Sequence, residues 1–173
     1  MDARSEKATP KNPTTSARTS DREFVVTRIV DAPPRIVYEA WTTPDLLKRW
    51  WAPKSFGVVF ISCEADVRVG GTYRFVFGHA ASTQPMAFFG RYLEVTPNAR
   101  LVLTNDEAGD AGALTTVTFE ETAGRTRVVV HDLYPSKEAL DAAIASGSTS
   151  GMDEMCGQLD ELLVELGVSV ARS

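Results

Sequence analysis

A chain of 173 residues, 43% hydrophobic and 24% charged, suits one domain with a core of its own and needs no metal or disulfide staple. Its net charge of −5 gives no basic footprint for nucleic acid or an anionic membrane, and no apolar run approaches the length of a bilayer span. Cys63 and Cys156 form neither a disulfide framework nor a metal pair, and read as reduced, buried hydrophobes of a cytoplasmic protein.

Residues 1–22 have Met1 as their only large apolar side chain and are rich in Ser, Thr, Pro and basic residues. A secretory signal needs an apolar stretch that is missing here, and Asp2, Glu6 and Asp21 argue against a transit peptide. A stretch that buries so little cannot offset its ordering entropy, so 1–22 is expected to be a disordered tail. The domain is expected over 23–168, with a short C-terminal tail at 169–173.

From Glu23 the pattern changes. "EFVVTRIV" is β-branched and strand-like, and "DAPP" (Asp31 to Pro34) ends it. "PRIVYEAW" opens with prolines that a first helical turn tolerates, and Ile36, Val37, Ala40 and Trp41 recur at helical spacing. Thr43-Pro44 starts a second short helix, "PDLLKRWW", with Thr43 as its expected N-cap. Neighbouring helical residues point about 100° apart, so one apolar stripe cannot take both Trp50 and Trp51 equally well. Trp41 and Trp50 are expected in the core, while Trp51 ends the helix and turns either into that core or towards a ligand.

A train of strands follows. "GVVFISCEADVRV" runs into the turn signal Gly70-Gly71, and in "TYRFVFG" the side chains of Tyr73, Phe75 and Phe77 share one face. "MAFFGRYLEV", "ARLVLTND", "LTTVTFEE" and "TRVVVHDLY" complete seven strands, six of them consecutive, which predicts an antiparallel meander. "SKEALDAAIASG" then predicts a helix capped by Ser136. "MDEMCGQLDELLVELG" is the strongest periodicity in the chain, an amphipathic helix of about four turns that Gly167 is expected to close.

In that order of elements the chain resembles the SRPBCC or START-like superfamily, whose helix-grip fold is shared with the birch pollen allergen. It is most similar to the bacterial branch that resembles the C-terminal domain of activators of the heat-shock protein 90 ATPase. The resemblance rests on "RIVDAP", "AWTT", "LLKRWWAP", "GGTYRFVF", "GRYLEVTPNARLVLT", "VTFEE", "YPSKEA" and the closing "LDELL", covering about Glu23 to Gly167. It implies an α+β fold: a seven-stranded curved antiparallel sheet wrapped round a long C-terminal helix, with two short helices between strands 1 and 2. Such proteins cradle hydrophobic molecules, cyclise polyketides, shuttle lipids or bind a chaperone. One departure stands out: the family usually places Trp after the glycine of the last helix, where this chain has Met152 after Gly151.

The search for chemistry in the sequence is short. His79 and His131 have no Asp or Cys at helical metal spacing, and no set of three or four ligands converges, so no metal and no cofactor is expected. His131 and Asp132 are adjacent in a strand and must face opposite sides. "GSTSG" has Thr149 where a nucleophile elbow needs Ser, and Gly70-Gly71 precedes no helix that would hold a phosphate. Glu64, Asp66, Glu94 and Asp132 are strand carboxylates that can face inward. Strand phase puts Glu94 beside Tyr92, buried against Arg74, Arg91 or Arg100 as a structural ion pair, with a general base as the alternative.

No catalytic constellation is legible. The expectation is therefore non-catalytic binding of a hydrophobic small molecule between the last helix and the sheet. Trp51, Phe56, Tyr73 and Phe75 are expected to line that cavity, together with Phe77, Tyr92, Met152 and Met155. A polyketide cyclase- or dehydratase-like enzyme using an inward carboxylate is the alternative. A heat-shock ATPase partner follows from the resemblance by analogy alone. The protein is expected to act as a monomer or homodimer.

Overall fold

The run Glu23–Val30 becomes a strand because its residues alternate: Val26 and Val30 point into the core while their neighbours stay half-buried. The computed structural model describes residues 14–52, 55, 57–79, 82–106, 112–145 and 152–172. Its strands are β1 (Thr15–Arg18), β2 (Glu23–Val30), β3 (Val58–Ala65), β4 (Thr72–His79), β5 (Ser82–Thr96), β6 (Arg100–Thr104), β7 (Leu114–Thr122) and β8 (Arg125–Leu133). They form one eight-stranded sheet in the order β1-β2-β8-β7-β6-β5-β4-β3, every described pairing antiparallel. The helices are α1 (Pro34–Thr42), α2 (Pro44–Trp50), α3 (Lys137–Ala145) and α4 (Met152–Arg172). This is the α+β helix-grip arrangement: a meander from β3 to β8, two short helices after β2 and a long helix last.

The sheet has eight strands where the sequence predicts seven. The extra one, β1, lies in the stretch whose composition reads as tail. It pairs with β2 through the backbone, and its four side chains are exposed. Backbone pairing asks for no apolar residue, so hydrophobic patterning cannot register such a polar edge strand.

The helix ends follow their chemistry with two exceptions. Ser136 caps α3, its hydroxyl accepting from the Ala139 N–H at 3.1 Å. Thr43 sits at the N-cap of α2 but its side chain makes no cap bond. The second exception is α4, which runs through Gly167 to Arg172 and takes in most of the stretch expected to be a tail. One helical glycine costs only about 1 kcal/mol, and no proline follows to enforce a stop.

Over residues 155–163, α4 is held against the rest by successive side chains. Met155, Leu159, Leu162 and Leu163 join the core formed by Val26, Val30, Val117 and Val128 of the sheet and Ile36, Val37 and Trp50 of the helices. Arg28, an inward residue of β2, pairs with Asp160, whose carboxyl burial raises and Arg28 lowers. The buried Gln158 amide donates to the Trp50 carbonyl at 2.9 Å and to the Ala52 carbonyl at 3.0 Å. No helix among the described residues is long and apolar enough to cross a membrane.

Candidate functional site

The adjacent tryptophans part at the end of α2. Trp50 is 1% exposed, donates its indole N–H to the Ala40 carbonyl at 2.9 Å and packs on Trp41 with ring centroids 4.9 Å apart. Trp51 leaves the helix in an extended conformation and Ala52 follows at a φ of 91°. That turn delivers the Trp51 ring, half-buried, onto the concave side of β3–β5. It stacks on Phe77 at 5.4 Å and 15°, and meets Phe75 at 5.3 Å, Phe88 at 5.4 Å and Phe60 at 6.5 Å edge-on.

Alternation in β4 puts Tyr73, Phe75 and Phe77 on this face, all three buried. Register then aligns Phe60 with Phe77 and Cys63 with Phe75 across β3–β4. Burial pushes the Cys63 thiol up to about 11, and the side chain packs against the core as a hydrophobe. Tyr73 continues the row, 5.3 Å from Phe75 and 5.7 Å from Tyr92.

Tyr73 also marks where the face changes character. Its hydroxyl donates to the Thr104 carbonyl at 2.6 Å and lies 3.2 Å from the Asn105 Oδ1. Gly90, paired with Tyr73, is what lets it pass. A Cβ there would sit 2.0 Å from the Thr104 carbonyl oxygen and 2.9 Å from the Tyr73 hydroxyl. Beyond it, the Asn105 amide donates to the Ala113 carbonyl at 2.8 Å and to the Thr115 Oγ1 at 3.1 Å. Thr115 in turn donates to the Asp132 Oδ1 at 2.5 Å. Tyr92, Leu103, Thr115 and Asp132 are register partners on successive strands and so share one side of the sheet. Desolvation raises the carboxyl of Asp132 and pushes the Tyr134 phenol nearby up to about 12.

Of the residues that the sequence singles out, Trp51, Tyr73, Phe75, Phe77 and Tyr92 meet on one concave face, and Met155 belongs to the buried core that α4 makes with it. Phe56 and the Met152 side chain lie outside the described residues. Glu94 departs from its expected place. It pairs with Arg100 at 3.0 Å, but each partner is 47% exposed. The register shift between Tyr92 and Glu94 is the reason: one extra residue in β5 keeps Tyr92 inward and turns Glu94 out. The inward acid is Asp132. Its neighbour His131 faces the other way and bonds Glu23 at 2.8 Å, lowering that carboxyl's pKa. Phe60 and Phe88 also go unpredicted, although "MAFFGRY" carried a signal for Phe88 in its paired phenylalanines. Among the described residues no three His, Cys, Asp or Glu side chains gather as a metal site would require.

The model of the family described as Activator of Hsp90 ATPase homolog 1-like protein matches residues 31–164. Among solved structures, a protein of Rhodobacter sphaeroides is similar at 25% identity, with a TM-score of 0.80 over 88% of this chain and 99% of that one. A protein of Chromobacterium violaceum is similar at 31% identity and a TM-score of 0.66, over 81% of this chain and 96% of its own. A third, from Nitrosomonas europaea, shares the fold at 22% identity and a TM-score of 0.78, over 87% and 99% of the two chains. No match is found among curated proteins.

Proposed function

This chain belongs to the family of Activator of Hsp90 ATPase homolog 1-like proteins, and from that premise we propose that it binds a hydrophobic small molecule in the cytoplasm without transforming it. The ligand lies between α4 and the concave face of β3–β5. The observation that carries this reading is the Trp51 ring, which α2 sends out of the helical core onto Phe75, Phe77 and Phe88 while it stays half-buried. Phe88 at the same cluster is 36% exposed, so the rings form a wall that reaches solvent. Aromatic walls of this kind suit an apolar guest, because ring faces and edges give contact area without demanding a hydrogen bond.

A heat-shock ATPase as partner is a second reading, favoured by the family's description alone. Mass spectrometry of small molecules released from the natively purified protein tests the first. An apolar compound recovered near one per chain, and lost from Trp51→Ala, is the expected result. An empty protein that also takes up no neutral apolar probe would contradict it.

A further inference from the structure

Asp132 is the unusual acid of this fold. Its neighbours in kind are neutralised: Asp31 by Arg125 at 2.7 Å, Asp106 by Arg91 at 3.1 Å, Glu94 by Arg100 at 3.0 Å and Asp160 by Arg28. Asp132 meets no lysine or arginine among the described residues, and Thr115 is its one hydrogen-bond partner among them. His131, next in sequence, points to the opposite side and is engaged with Glu23.

The hydrogen bonds around it run one way. The Asn105 amide must present its N–H side to Thr115, because the same group donates to the Ala113 carbonyl. Thr115 therefore accepts from Asn105 and has its own proton free for Asp132. The chain of donors ends on a carboxylate whose other oxygen still accepts. Burying a charge without a counter-ion is costly, and desolvation does raise this carboxyl. Inward acids without a cationic partner concentrate at sites that meet a ligand.

Resting on the reading that the concave face binds an apolar molecule, we propose that Asp132 is the ionic anchor of that groove. It takes the protonated amine of an amphipathic ligand whose apolar body runs along Leu103 and Tyr92 towards Tyr73 and Phe75. The register row Tyr92, Leu103, Thr115, Asp132 sets the length. Three strand spacings separate β8 from β5, about 14 Å, a span of the order of a ten-carbon chain.

The test compares 1-aminodecane, 1-decanol and decanoate, below their micelle concentrations, by calorimetric titration of the full chain and of Asp132→Asn. The amine should bind the natural protein at least ten-fold more tightly than the alcohol, and decanoate should bind weakest. In Asp132→Asn the preference for amine should collapse to two-fold or less while decanol affinity holds. Equal binding of amine and alcohol to the natural protein overturns the anchor and leaves the apolar groove standing. A preference that survives in folded Asp132→Asn overturns it too, by placing the selecting group elsewhere. If neither amine nor alcohol binds, the groove reading itself fails and the anchor with it. Where Asp132→Asn does not fold, Asp132→Ser takes its place in the same comparison, with the same collapse of the amine preference expected and the same survival of it overturning the anchor.

Discussion

The two halves of the concave face are built on different physics. Over β3–β5 the rings of Phe60, Phe75, Phe77 and Phe88 gather round Trp51, each holding the others by area and edge contacts. Over β6–β8, beside the buried Leu101, Val117 and Val130 of the same face, the side chains of Asn105, Thr115 and Asp132 are placed by directed hydrogen bonds. Apolar packing is non-directional and can re-form around a guest, whereas a donor chain fixes one geometry and one polarity. In the proposed binding role, the first half is the source of affinity and shape tolerance and the second of orientation. Tyr73 belongs to both, with its ring among the aromatics and its hydroxyl on Thr104.

This contrast predicts unequal responses to mutation. The largest belongs to Phe77→Ala, which deletes a 2% exposed ring stacked under Trp51. It should cost about 3–5 kcal/mol in urea denaturation. A loss below about 1 kcal/mol would mean that the aromatic half is loosely filled, and the division between packed and directed halves would blur. Gly90→Ala comes next, because its Cβ would meet backbone at Thr104. β5 and β6 must part for it, at about 1–3 kcal/mol, with Tyr73 losing its bond. Tyr73→Phe keeps the ring and removes only the hydroxyl, so about 1 kcal/mol should go, and apolar probe affinity should stay.

The response expected from Asp132 is opposite in sign. The folded chain holds the Asp132 proton more firmly than the unfolded chain does, because burial raises its carboxyl pKa. The stabilisation from that proton is complete below the ordinary aspartate pKa of about 3.9 and is lost as pH climbs through the raised folded value. Asp132→Asn cannot ionise and keeps an oxygen for Thr115. Its melting temperature should gain on that of the natural protein as pH climbs from the ordinary aspartate pKa through the raised folded value. A gap that stays constant with pH would show Asp132 to be as well solvated as a surface acid.

Much of this contrast was readable in the chain, and its limits have physical causes. Alternation in "TYRFVFG" put the aromatic face on β4, and the sterics of adjacent helical residues separated Trp50 from Trp51. The family resemblance supplied the topology, which alternation alone cannot order. What stayed hidden was the phase across irregularities. One extra residue after Tyr92 turned Glu94 outward, so the acid that looked buried is solvated and ion-paired. Asp132 sits in an unbroken strand whose inward phase is set by Val128 and Val130. Its lack of a cationic partner among the described residues is a fact of three dimensions, not of sequence. Tyr73 reaching across Gly90 to Thr104 is of the same kind, although a glycine inside a strand was its one visible sign.

The claim that the concave face is a binding site is tested most directly by mapping a neutral apolar probe, 1-decanol, onto the protein with aromatic and methyl NMR shifts. The molecule offers a built-in rival surface, for Val59 and Ile61 on the outer side of β3 are 68% and 62% exposed. The account predicts saturable shifts at Phe60, Phe75, Phe77, Phe88 and the Trp51 indole, with Val59 and Ile61 unmoved. Shifts confined to Val59 and Ile61, or none that saturate, would contradict it.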